Sequence, residues 1–91
     1  MNTPIVAPEQ ARRQEILDEI FRQLGYAPPL LPAFLSETEL AKVLLTTASA
    51  LRTRRWEGAP MPPHLKIGRP VLYRPADVVD FILIHFNGAT L

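Results

Sequence analysis

Two proline clusters limit what this chain can become. Pro28, Pro29 and Pro32 follow Gly25, and Pro60, Pro62 and Pro63 follow Gly58. Proline fixes φ and removes an amide donor, so neither stretch can be a helix interior or a central strand. Three short segments remain within 91 residues. That is one domain's length of chain, with room for one small core. A (β/α)₈ barrel or a full dinucleotide fold does not fit. At 47% apolar and 21% charged, the chain has globular rather than disordered composition. It has no cysteine, which excludes disulfides and thiolate metal sites, and His64 and His85 are too few for a structural zinc site. The run Phe81-Ile82-Leu83-Ile84 is far too short to span a bilayer. Met1-Asn2-Thr3-Pro4 lacks the basic-then-apolar order of a signal peptide. The expectation is a cytoplasmic protein with no membrane partner.

The first segment reads as a helix over Pro8–Leu24. Ile16, Leu17, Ile20, Phe21 and Leu24 share one stripe. Glu9 near its start and Arg22 near its end suit the helix dipole, and Gly25 suits C′. The stripe is expected to pack on the rest of the domain, with self-association as the alternative.

The second segment opens on Ser36-Glu37-Thr38-Glu39, a capping box flanked by Leu35 and Leu40 at the staple positions. Its helix runs through Leu40, Ala41, Val43 and Leu44. Thr46 and Thr47 then interrupt it and offer a new N-cap. A second short helix follows from about Thr47 to Trp56, ending before Gly58. Two short helices across a tight turn make a helix-turn-helix.

The third segment begins with two short β-prone runs around Gly68-Arg69, which reads as a hairpin over Leu65–Tyr73, with Pro70 at the turn or on an unpaired edge. Pro75 and Asp77 suit the first turn of a last helix, which continues through Val78, Val79, Phe81, Ile82 and Phe86 to about Asn87-Gly88. The expected fold is therefore mainly α with a small β-hairpin: a winged helix-turn-helix plus an N-terminal helix. Residues 1–34 would supply that helix and a Pro-rich linker, and residues 35–91 the winged helix-turn-helix.

Charge is uneven. Residues 42–74 carry Lys42, Arg52, Arg54, Arg55, Lys66, Arg69 and Arg74 against Glu57 alone, a net of +6, while the whole chain sums to +1. A basic middle is the footprint of a polyanion binder; a solvated basic face is the plainer alternative.

The spaced residues Leu35-Ser36-x-x-Glu39-Leu40-Ala41-x-x-Leu44, Leu51, and Lys66-Ile67-Gly68-Arg69-x-Val71-x-Tyr73-Arg74-x-x-Asp77-Val78-x-x-Phe81-Ile82 resemble the small excisionase-like winged-helix proteins. These are the AlpA-type and phage Xis-type members of the MerR-like helix-turn-helix group. The resemblance covers residues 35–84 and is most specific in the Lys66–Asp77 stretch. It departs from the family at Arg54, where an aromatic residue is common, and in the loop 57–63, which is one residue longer than usual. It implies sequence-specific binding to repeated double-stranded sites, bending of DNA to promote integrase-mediated excision of a mobile element, and nucleoid association. It also implies cooperative loading of copies, with an integrase as a further partner. Transcriptional regulation by the same fold is the alternative, and a protein-interaction winged helix a further one.

The residues agree with DNA contact on their own terms. With Leu51 at the buried centre of the second helix, Ala48 and Arg55 flank it, while Ser49, Arg52, Thr53 and Trp56 point away. Arg52 is the expected base reader, because a guanidinium pairs bidentately with guanine O6 and N7. Thr47 caps the helix at the same surface. Ser49 and Thr53 suit a phosphate or a thymine methyl, and Arg54 and Arg55 are expected to grip phosphates. Gly68 lets the wing turn tightly and Arg69 at its tip can enter a narrow minor groove. Lys66 and Arg74 would flank it on phosphates. Tyr73 is expected to be core with its hydroxyl near the backbone, and Trp56 to pack beneath the hairpin as core, with stacking on a sugar as the alternative. Nothing points to an enzyme: Asp77 and Asp80 read as capping and solvent-facing, and no phosphate loop, nucleophile motif, cofactor site or metal site is expected.

Overall fold

The computed structural model describes residues 8–85. Four helices and one small antiparallel sheet follow in the order α1 (Pro8–Gln23), β1 (Leu35–Ser36), α2 (Glu37–Val43), α3 (Ala48–Trp56), β2 (Leu65–Lys66), β3 (Val71–Tyr73) and α4 (Pro75–His85). The chain is thus mainly helical with a small hairpin, as the sequence predicts. The expected end of the last helix near Asn87-Gly88, Phe86, and the reading of Met1–Pro4 lie outside the described residues.

Each helix end has a local cause. Ser36 caps α2: its Oγ accepts from the Glu39 amide at 3.1 Å, and a Glu39 carboxylate oxygen accepts from the Ser36 amide at 2.9 Å. That exchange satisfies two amides which the first helical turn leaves open. Ser36 has φ −76° and ψ 167°, an extended conformation. It therefore serves as a strand residue as well, and Leu35-Ser36 pairs with Leu72-Tyr73. The sheet consequently has three strands in the order β1-β3-β2, where the sequence suggested only a hairpin. The third strand is two residues long and had no periodicity to reveal it.

Helices α1, α2 and α3 end alike, each with an amide-to-carbonyl bond spanning five residues and another spanning three. For α1 these are Tyr26 to Phe21 and Gly25 to Arg22; for α2, Thr46 to Ala41 and Leu45 to Lys42; for α3, Ala59 to Arg54 and Gly58 to Arg55. This is the Schellman arrangement, which needs a left-handed residue at C′. Gly25 and Gly58 supply it at φ 83° and 76°. In α2 the position is held by Leu45 at φ 56°, with its side chain in solvent.

The staple pair Leu35 and Leu40 is fully buried with Leu51, Tyr73, Val78 and Val79. Ile20 and Phe21 of α1 belong to the same core, with Ile16, Leu17 and Leu24 packed against its edge. Ile20 and Phe21 of the stripe are thus used within the chain, while Ile16, Leu17 and Leu24 stay partly exposed. Arg13 of α1 forms an ion pair with Asp80 of α4, so Asp80 is half-buried and partnered rather than simply solvent-facing. The reason is tertiary: α1 lies along α4. Among the described residues no helix is long and apolar enough to cross a membrane.

Candidate nucleic-acid interface

Helix α3 is held from both ends. Thr47 Oγ1 accepts from the Ala50 amide at 3.1 Å, and Gly58 closes the far end. Leu51 alone of its residues is buried, so it fixes which face turns inward. Ser49, Arg52, Thr53 and Trp56 are exposed, as the wheel centred on Leu51 requires. Thr53 spends its hydroxyl proton on the Ser49 carbonyl at 3.1 Å, which leaves the oxygen able only to accept.

Trp56 corrects one expectation. It is not core but 90% exposed. It lies five residues after Leu51, about 140° from the buried direction at 100° per residue. The left-handed Gly58 ends the helix just beyond it, and the following loop covers the core with buried Pro62 and half-buried Met61. The general tendency of tryptophan to be buried yields here to helix phase.

The three arginines of α3 part company. Arg55 turns inward, forms an ion pair with Glu37 at the start of α2, and donates to the Tyr73 hydroxyl at 3.3 Å. Its side chain is 24% exposed and that of Glu37 13%. The bond to Glu37 raises the Arg55 pKa above its ordinary value despite some desolvation. Burial raises that of Tyr73, opposed by the nearby guanidinium. The Tyr73 hydroxyl therefore faces Arg55 rather than the backbone, because β3 packs beside α2 and brings the ring under α3. Arg54 donates to the Pro60 carbonyl at 3.1 Å and ties down the loop after α3. Arg52 stays out, 60% exposed, with Nη1 3.8 Å from a Glu37 oxygen. At that separation it is steered rather than bonded.

The hairpin pairs Leu65 with Leu72 and Lys66 with Val71, leaving Ile67-Gly68-Arg69-Pro70 as its tip. Gly68 has φ 70°, the left-handed conformation the tip needs. Lys66 and Arg69 are exposed. Arg74 lies past the hairpin, where its Nε donates to Asp77 at 3.1 Å on the first turn of α4.

Between α3 and the hairpin runs an open groove of about 480 Å³. Arg52, Arg55, Lys66 and Arg69 line it, with Glu37 as the one carboxylate and Ser36 and Thr38 among its hydroxyls. Glu37 neutralises Arg55, so the free charge is that of Arg52, Lys66 and Arg69. Of the residues read from the sequence, the fold brings Arg52, Arg55, Lys66 and Arg69 to this groove, with Gly68 shaping its rim. Thr47 at the N-cap of α3 and Ser49, Thr53 and Arg54 on it stay outside the groove, and Arg74 stays at α4. Glu37 was missed. Its place in the first turn of α2 already has a local explanation in the helix dipole, and nothing local signals its tertiary partners.

Among the described residues no group of three or more His, Asp or Glu is placed to hold a metal ion. Compared with known proteins, the chain matches no family model, no curated protein and no solved structure.

Proposed function

We propose that this chain is a sequence-specific binder of double-stranded DNA. The observation that carries the reading is the basic groove between α3 and the hairpin, where Arg52, Lys66 and Arg69 converge beside the exposed polar face of α3. Helix α3 presents Ser49, Arg52 and Thr53 to base edges in the major groove, the usual geometry of a helix-turn-helix. The hairpin carries Arg69 to the adjoining minor groove and Lys66 to phosphates.

The likeness of the Lys66–Asp77 stretch to excisionase-like proteins supports a narrower role. In it, copies load side by side on repeated sites and bend the DNA so that an integrase excises a mobile element. With Ile20 and Phe21 of the α1 stripe and Phe81 and Ile82 of the apolar tail in the core, contact between copies would run from the hairpin of one to the helix-turn-helix of the next. Transcriptional regulation by the same contacts is the alternative. Footprinting over the DNA beside the chain's own gene tests the reading. Protected repeats whose occupancy falls steeply with salt are the expected result, and no protection at any salt concentration would refute it. Repeats at a recombination site support excision, and repeats within a promoter support regulation.

A further inference from the structure

The proposed groove leaves the largest of the exposed apolar side chains unexplained. Trp56 is the chain's one tryptophan, and at 90% exposure its indole forgoes nearly all the apolar burial that such a ring can supply. The Gly58 cap and the Arg54–Pro60 bond fix the segment around it, so the ring stands on an ordered helix end. It also shares a face with Ser49, Arg52 and Thr53, with Arg52 one turn before it. An apolar protein partner would find polar and cationic neighbours there. A DNA backbone presents both things this face matches: phosphate for the cations and the apolar face of a sugar for the ring.

The spacing narrows the contact. Four residues of helix advance about 6 Å, and the major groove is about 12 Å wide. With the Arg52 fork at base edges near mid-groove, Trp56 reaches the wall, where deoxyribose stands. We propose that Trp56 packs its indole against a deoxyribose of the bound duplex, an apolar clamp that adds affinity without reading sequence. The inference rests on the DNA-binding reading, so its test must separate the two.

A single tryptophan makes that separation direct. The full chain is titrated with end-labelled duplex, following label anisotropy for binding and indole emission, with acrylamide quenching, for Trp56. The expected result is that bound duplex protects the indole from acrylamide in step with the anisotropy change. Trp56→Ala should bind specific and random duplex alike about tenfold more weakly, as loss of an apolar ring contact predicts, with the salt slope unchanged. Trp56→Phe should keep most of the affinity. Both variants should melt as the wild type does, because the side chain supports nothing in the core. Anisotropy that rises while the indole stays open to acrylamide and Trp56→Ala binds normally would overturn the inference and leave the DNA reading standing. So would a loss confined to one sequence, or abolished when thymine is replaced by uracil, either of which marks a base-edge contact. An emission shift that follows protein concentration without DNA would assign the ring to a second copy instead. No anisotropy change on any duplex at low salt would overturn both.

Discussion

Arg55 separates a structural role from a DNA-contacting one. From sequence it is one of three arginines within four residues of α3, and Arg55→Ala would be expected to remove a phosphate contact. In the fold its guanidinium bridges Glu37 and the Tyr73 hydroxyl, joining α3 to α2 and β3. A hydrogen bond to a charged group contributes about 1.5–3 kcal/mol. Two features favour the lower part of that range. The Arg55 side chain is 24% exposed, so water screens the pair, and Arg52, 3.8 Å from Glu37, can move in to replace it. A loss of about 1.5–2 kcal/mol then lowers Tm by roughly 6–16 °C in a domain of this size. Removing Arg55 and Glu37 together should leave the salt dependence of duplex binding as in the wild type, because the two charges already match each other. Glu37→Ala should cost a similar amount, and the double variant less than the sum of the two, which a double-mutant cycle by thermal or urea unfolding reads out. The reasoning fails if Arg55→Ala melts with the wild type, or if the log–log salt slope of the double variant falls by about 0.9, the signature of one lost phosphate contact.

Other expectations follow from single side chains. Arg52→Ala should leave Tm nearly unchanged and cost about 1–3 kcal/mol of discrimination between cognate and random duplex, measured by competition binding; equal losses on both would remove it from base reading. Leu45→Gly should stabilise the fold: relief of a left-handed non-glycine residue returns about 1–2 kcal/mol. The extra freedom of glycine in the unfolded chain takes back about 0.5–1 kcal/mol. With Leu45 91% exposed, no packing is lost, so a lowered Tm would show that this side chain has a partner within the chain. For Glu39, burial pushes the carboxyl pKa up, but the bonds from the Ser36 amide and the Tyr26 hydroxyl outweigh it and hold the pKa below its ordinary value. Its stabilising effect is therefore present above the ordinary carboxylate range and lost as pH falls through the lowered value. Glu39→Gln, which keeps the cap but does not titrate, should flatten the acid side of a Tm–pH profile, and an unaltered profile would contradict this. Tyr26 behaves oppositely, since donating to Glu39 raises its pKa, so stability should fall as pH climbs past the ordinary phenol range, and Tyr26→Phe should remove that loss.

Local chemistry determined the element order. The Ser36–Glu39 box, the Thr47 cap, Gly25 and Gly58 after their helices, Gly68 in the hairpin tip and Pro75 at the start of α4 all act within a few residues, so each was legible before any contact was known. The wheel centred on Leu51 likewise set the outward face of α3, Trp56 included; only a general expectation about tryptophan hid it. Tertiary structure decided what residues distant in sequence do to one another. The strand Leu35-Ser36 exists because β3 offers it a partner. Glu37 meets Arg55 eighteen positions away because α2 packs on α3. That one carboxylate makes Arg55 a tie between helices and leaves Arg52 exposed, while the Pro60 carbonyl makes the chemically identical Arg54 a loop anchor. Charge along a sequence can be counted, but which charges remain free depends on where the fold sets their counter-charges.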